Sequence, residues 1–221
     1  MIVTGAMTAS PLLTLSFIAF AFAISFGWAA FTGRWLWAAG WLLVTGALGA
    51  SGVFDHFELP PRMLLFFGPT LVGVTIWGWR SDLWELPLSF LVGFQAFRIG
   101  VELLIHQAVI EGIAPPQMTW TGMNLDIVTG ITALFLIPVA SRMPKMAVHA
   151  WNLLGWGLLI KVIGVAILSM PTPLQRYTPD NTWVAFFPWI WLPTVHVAIA
   201  WMGHVVVLKK LTRSGGAGAP N

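Results

Sequence analysis

The chain has no cysteine, which excludes disulfides, thiolate metal sites, iron–sulfur clusters and cysteine nucleophiles. Charge is also scarce. Asp, Glu, Lys and Arg make up 9% of the 221 residues, against roughly a quarter in an ordinary soluble domain, too few to build a water-soluble surface. Catalytic signatures are missing as well: there is no H-E-x-x-H, G-x-S-x-G, Walker loop or zinc-spaced histidine cluster. Nor do histidines assemble with Ser and Asp in a membrane-hydrolase pattern.

What is present is apolar: 57% of the residues are hydrophobic and the mean hydropathy is +0.81. Apolar windows fall at 11–31, 35–54, 63–79, 86–110, 123–140, 147–170 and 182–208, each long enough or nearly long enough to cross a bilayer. Turn chemistry separates them, as in Gly33-Arg34, Arg80-Ser81-Asp82, Pro115-Pro116 and Pro171-Thr172-Pro173. No Lys or Arg precedes the first window, which reads as a true first span instead of a cleaved signal. The expected fold class is all-α, a polytopic integral membrane bundle of seven transmembrane helices. It forms one domain over residues 1–213 and ends in a disordered Gly/Ala-rich tail at 214–221.

If seven spans alternate, Arg34, Arg80, Arg142, Lys145, Lys209, Lys210 and Arg213 share one side, with Arg62 and Arg176 on the other. The positive-inside rule then puts the N-terminus outside and the C-terminus in the cytoplasm. The net charge of +3 is spread over these span ends and not gathered in one stripe, which argues against a nucleic-acid partner. Tryptophans at predicted ends, among them Trp28, Trp35, Trp79, Trp84, Trp120 and Trp183, read as an interfacial belt. Trp156, Trp189, Trp191 and Trp201 lie deeper and are the candidates for a lipid, quinone or pigment pocket.

Ionisable residues inside a span need a partner, a wet cavity or a task. Arg98 and Glu102 are four apart on the fourth span, and Gln95 and His106 extend the same stripe. The stripe reads either as an internal salt bridge that braces the bundle or as a proton relay, ion path or substrate clamp. Asn124 and Asp126 enter the fifth span at the same depth, and Asp126 is expected to cap that helix and pair with Arg98. Lys161, in the sixth span, is expected to join and bring the cluster near neutrality. Pro188 and Pro193 predict a kinked seventh span around His196. His149 and His204, at matching depth on consecutive spans, are either interfacial residues or axial ligands of a haem. The last span has no lysine before Lys209, which argues against retinal attachment of the microbial-rhodopsin kind.

The segment Gln95-Ala96-Phe97-Arg98-Ile99-Gly100-Val101-Glu102, followed by Met118-Thr119-Trp120-Thr121-Gly122-Met123-Asn124-Leu125-Asp126-Ile127, resembles a family of uncharacterised bacterial multi-pass membrane proteins. That family pairs an R-x-x-x-E helix with a stretch like M-T-F-E-G-R-N-F-D-I. Thr121 and Met123 stand here where the pattern has a glutamate and an arginine, so no role needing those charges is carried over. The resemblance implies one constellation of Arg98, Glu102, Asn124 and Asp126 and a place in a bacterial cytoplasmic (inner) membrane, and names no activity.

The expected function is a small-molecule or ion-binding, transporter-like protein, or a subunit of a larger membrane complex, with lipid, quinone or pigment as candidate ligands. The alternative is an intramembrane enzyme on a lipid or quinone, with Glu102 or Asp126 as acid/base, His106 as proton shuttle and Arg98 as anion clamp.

Overall fold

The structure is a computed structural model, and it describes residues 9–59 and 61–213. The tail at 214–221, read from sequence as disordered, lies outside the described residues. Those residues form helices and turns, with no strand among them.

Helix α1 (Pro11–Thr32) begins where the Ser10 hydroxyl accepts from the Leu13 N–H at 3.2 Å and Pro11 takes a first-turn position. It stops at Gly33, whose φ of 70° suits a left-handed cap, with its N–H donating to Ala29 O. Then follow α2 (Trp35–Ala50), α3 (Arg62–Arg80), α4 (Leu88–Phe94), α5 (Phe97–Ile110), α6 (Ile127–Leu136), α7 (Lys145–Leu168) and α8 (Ala198–Arg213). A π-helical stretch, Leu192–Val197, leads directly into α8.

Four helical runs are long and apolar enough to cross a membrane: Pro11–Thr32, Leu88–Ile110, Lys145–Leu168 and Leu192–Arg213. At 1.5 Å per residue each reaches roughly 33–36 Å, more than the ~30 Å hydrocarbon core. Helix α2 and the ten-residue α6 are shorter apolar helices.

Three expected windows differ in detail. The window 86–110 is broken at Gln95 and Ala96, where Gln95 N–H donates to Val92 O and Ala96 N–H to Gly93 O, a tightened turn between α4 and α5. The window 123–140 yields only α6, because residues 124–126 are held in a turn and Pro138 has no N–H with which to continue the helical ladder. The window 182–208 shifts: residues 182–191 form turns and a short 3-10 helix, and the helical run starts at Leu192 and continues to Arg213. The kink expected from Pro188 and Pro193 is this opening plus the π-helical start.

Helix α2 packs on α1, α3 packs on α8, and α5 contacts α1 and α6 while α7 contacts α8. Phe17, Leu42, Leu159, Ile190 and Trp191 join these elements in one apolar core. Near the start of α1, Glu111 receives hydrogen bonds from Gln107 Nε2 (2.9 Å), the Ser10 N–H (2.7 Å) and the Ser10 hydroxyl (2.8 Å). These bonds, that from Gln107 foremost, hold the Glu111 carboxyl below the usual glutamate range. A carboxyl depressed by folding contributes above its unfolded pKa and loses its contribution as pH falls through the folded one. Acidification through that range should therefore speed hydrogen exchange at Leu13 and Thr14, after correction for intrinsic rates. In Glu111→Gln that extra acceleration should be absent, and an equal acceleration in both proteins would refute the anchor.

Candidate functional site

The polar centre is built where α6 lies against α5. Gly130 permits the approach: a Cβ there would sit 2.9 Å from the Ile99 backbone nitrogen and 3.2 Å from Arg98 Cβ. Asp126 lies one turn before Gly130, so this contact brings its carboxylate to α5. Arg98 Nη1 donates to Asp126 Oδ1 at 2.7 Å, and both side chains are buried. Asn124 Nδ2 donates to Glu102 Oε1 at 2.6 Å and to Met118 O at 3.0 Å, while Asn124 Oδ1 accepts from the Asp126 N–H at 2.9 Å. That last bond is a local Asx-type turn, and it frees the Asp126 carboxylate for Arg98.

Two expectations are corrected here. The pairing of Arg98 with Asp126 expected across the helices is present, but the pair expected along its own helix to Glu102 is not, since a cross-helix charged bond outweighs the few tenths of a kcal/mol typical of an i, i+4 pair. Asp126 does not cap α6 through its side chain. Instead Asn124 supplies the local side-chain acceptor at that helix start.

The centre contains two carboxyls, Glu102 and Asp126, for one guanidinium. Lys161 does not add the second cation, because it lies exposed on α7. Arg98 Nε and Nη2 and Glu102 Oε2 are buried without a hydrogen-bond partner among the described residues. Buried polar groups in that condition call for water, an ion or a ligand. Beside them is a cavity of about 80 Å³, bounded by Glu102, Asn124 and Asp126 and otherwise by apolar groups such as Phe67, Leu159 and Pro193. That is space for several waters or a small molecule.

The remaining candidates lie elsewhere. Gln95 is buried and its Nε2 donates to Ala200 O at 3.2 Å, which ties the break between α4 and α5 to α8. His106 is half-buried, stacked on Trp120 with centroids 4.2 Å apart, and its Nδ1 is 3.2 Å from Thr119 Oγ1. His196 is buried among the rings of Phe17, Phe20 and Phe97. His204 is fully buried with Nδ1 2.7 Å from Asn152 Oδ1, and its Cε1 is so close to Gly155 that a Cβ there would lie at 2.6 Å. Protein thus fills that edge of the His204 ring, and His149 is half-buried on α7.

The deeper tryptophans are packed as structure. Trp191 Nε1 donates to Leu42 O at 3.1 Å, Trp201 Nε1 donates to Thr75 Oγ1 at 2.8 Å, and Trp156 meets Trp201 edge-on. An aromatic-lined cavity does exist, but Trp28, Trp37, Trp41 and Trp77 line it. Gly130 and Met118 are the parts of the polar centre that charge-based reading missed. The available signal was a small residue one turn from a buried carboxylate.

A family model described as a domain of unknown function (DUF8737) matches residues 64–212. The match spans the whole polar centre and leaves out α1 and α2. No curated protein and no solved structure matches the chain.

Proposed function

This chain belongs to the DUF8737 family, and from that premise we propose that it is a transporter-like membrane protein that binds a small molecule or ion at Glu102. One observation carries the proposal: two buried carboxyls face one guanidinium beside a cavity, and one Glu102 oxygen has no partner among the described residues. Excess buried negative charge is costly, and a proton or cation taken into the cavity would balance it. An uncompensated carboxylate at a cavity wall is what an exchanging site needs.

The same reading takes the bundle as seven passes in a bacterial cytoplasmic membrane, N-terminus outside. Supporting this, Lys209 Nζ donates to Ser81 O, Lys210 Nζ donates to Trp84 O, and Arg34 lies over Trp77. Basic residues thus gather at one end of the bundle, as the positive-inside rule asks. The enzyme alternative draws less support, because Asp126 is held by Arg98 and His106 is engaged by Thr119 and Trp120. Membership of a larger assembly would be revealed by a partner retained in mild detergent.

The test is an infrared difference spectrum of the protein in nanodiscs on stepping pH and on exchanging choline for sodium or potassium. The wild type should show a reversible carboxyl band that Glu102→Gln removes, with the fold kept because glutamine still accepts from Asn124. Identical difference spectra from the two proteins would sink the proposal.

A further inference from the structure

A second cavity, of about 660 Å³, opens between α2 and α3, which pack on α1 and α8 respectively and leave a slot between them. Its volume falls in the range typical of small-molecule sites. Trp37 and Trp41 of α2, Trp28 of α1, and Phe66, Gly73 and Trp77 of α3 line it, with α8 as the floor. One end is closed: Trp41 Nε1 donates to Thr194 O at 2.8 Å and its ring stacks on Phe66 at 5.8 Å.

At the other end stands Arg34, the slot's sole charged lining side chain among the described residues. Its guanidinium lies 5.3 Å from the Trp77 ring centre and forms no ion pair among the described residues. Along α3 the lining runs from Leu65 to Trp77, roughly 18 Å at 1.5 Å per residue. One leaflet contributes about half of the ~30 Å hydrocarbon core, so the slot is about one acyl chain deep.

We propose that this slot holds one acyl chain of an anionic phospholipid drawn from the surrounding bilayer, with the lipid phosphate on Arg34. Charge complementarity selects the anionic head group, since no acidic side chain lines the slot. The apolar walls and leaflet-scale depth select a chain, and Trp37 and Trp77 suit the headgroup boundary. The site is separate from Glu102, which does not line it, and stands or falls independently of the function proposed above.

Native mass spectrometry of the full chain in mild detergent, with phosphatidylglycerol or phosphatidylcholine of identical chains, provides the test. One phosphatidylglycerol should be retained in preference to phosphatidylcholine, and Arg34→Gln should cut that preference about fivefold, the effect of one basic residue at a lipid surface. Gly73→Phe should weaken binding of both lipids. A Cβ at Gly73 meets nothing within 4 Å, so the new ring can enter the slot without displacing protein. Should that variant misfold by its melting curve, Ala38→Trp blocks the slot from the facing helix. Equal retention of the two lipids by the wild type, an unchanged preference in Arg34→Gln, or undiminished binding in a folded blocking variant would overturn the proposal. So would displacement of phosphatidylglycerol by equimolar palmitate, which would assign the slot to a free fatty acid.

Discussion

Arg98→Met is expected to destabilise the protein by about 3–5 kcal/mol, because it strands a buried carboxylate without its cation. Arg98 is 1% exposed and Asp126 6%, so both groups are largely withdrawn from bulk solvent. The loss should appear as a lower midpoint in SDS-induced unfolding followed by tryptophan fluorescence. Arg98→Met combined with Asp126→Leu should recover most of it, since an apolar pair of similar size is often neutral in place of a buried ion pair. Helix–helix hydrogen bonds in membranes average only about 0.6 kcal/mol, so a loss within 1 kcal/mol would mean that Arg98 is solvated and the pair contributes little.

Gly130→Val comes second in expected effect. Its added atoms meet the Ile99 backbone nitrogen and Arg98 Cβ, neither of which can swing aside. Overpacking of this kind typically costs about 1–3 kcal/mol, and separating α6 from α5 would also stretch the Arg98–Asp126 contact. Unfolding midpoints should fall, and a cross-link between cysteines introduced at Ile99 and Ile131 should form more slowly. Gly157→Val is the matched control, because a Cβ at Gly157 meets nothing within 4 Å. Equal effects of the two substitutions would contradict the close approach at Gly130.

The residues behind these two predictions differ in how far the sequence reveals them. Apolar runs bounded by Gly33, Arg80 and Pro171 were legible because a membrane demands continuous hydrophobic length and puts turn chemistry at its edges. The meeting of Arg98 with Asp126 and of Glu102 with Asn124 was legible as one constellation, since each is costly in an apolar run. That Arg98 makes no second pair with Glu102 was not, because spacing along one helix ranks local pairs and is silent about a neighbour across it that competes for them. Lys161 was misplaced for a related reason: α7 is apolar on every side, so periodicity gives no sign of which face turns inward. The slot at Trp28, Trp37, Trp41 and Trp77 was hidden because tryptophans near span ends fit an interfacial belt equally well.

Glu102 facing an occupied cavity is most directly tested by a cryo-electron microscopy map of the protein in nanodiscs at a resolution that shows ordered water. Density should stand within hydrogen-bond distance of Glu102 Oε2, with Arg98 held on Asp126 and Asn124 on Glu102. A dry, collapsed cavity with both Glu102 oxygens turned onto Arg98 would contradict the binding site and leave the polar centre as a brace between α5 and α6.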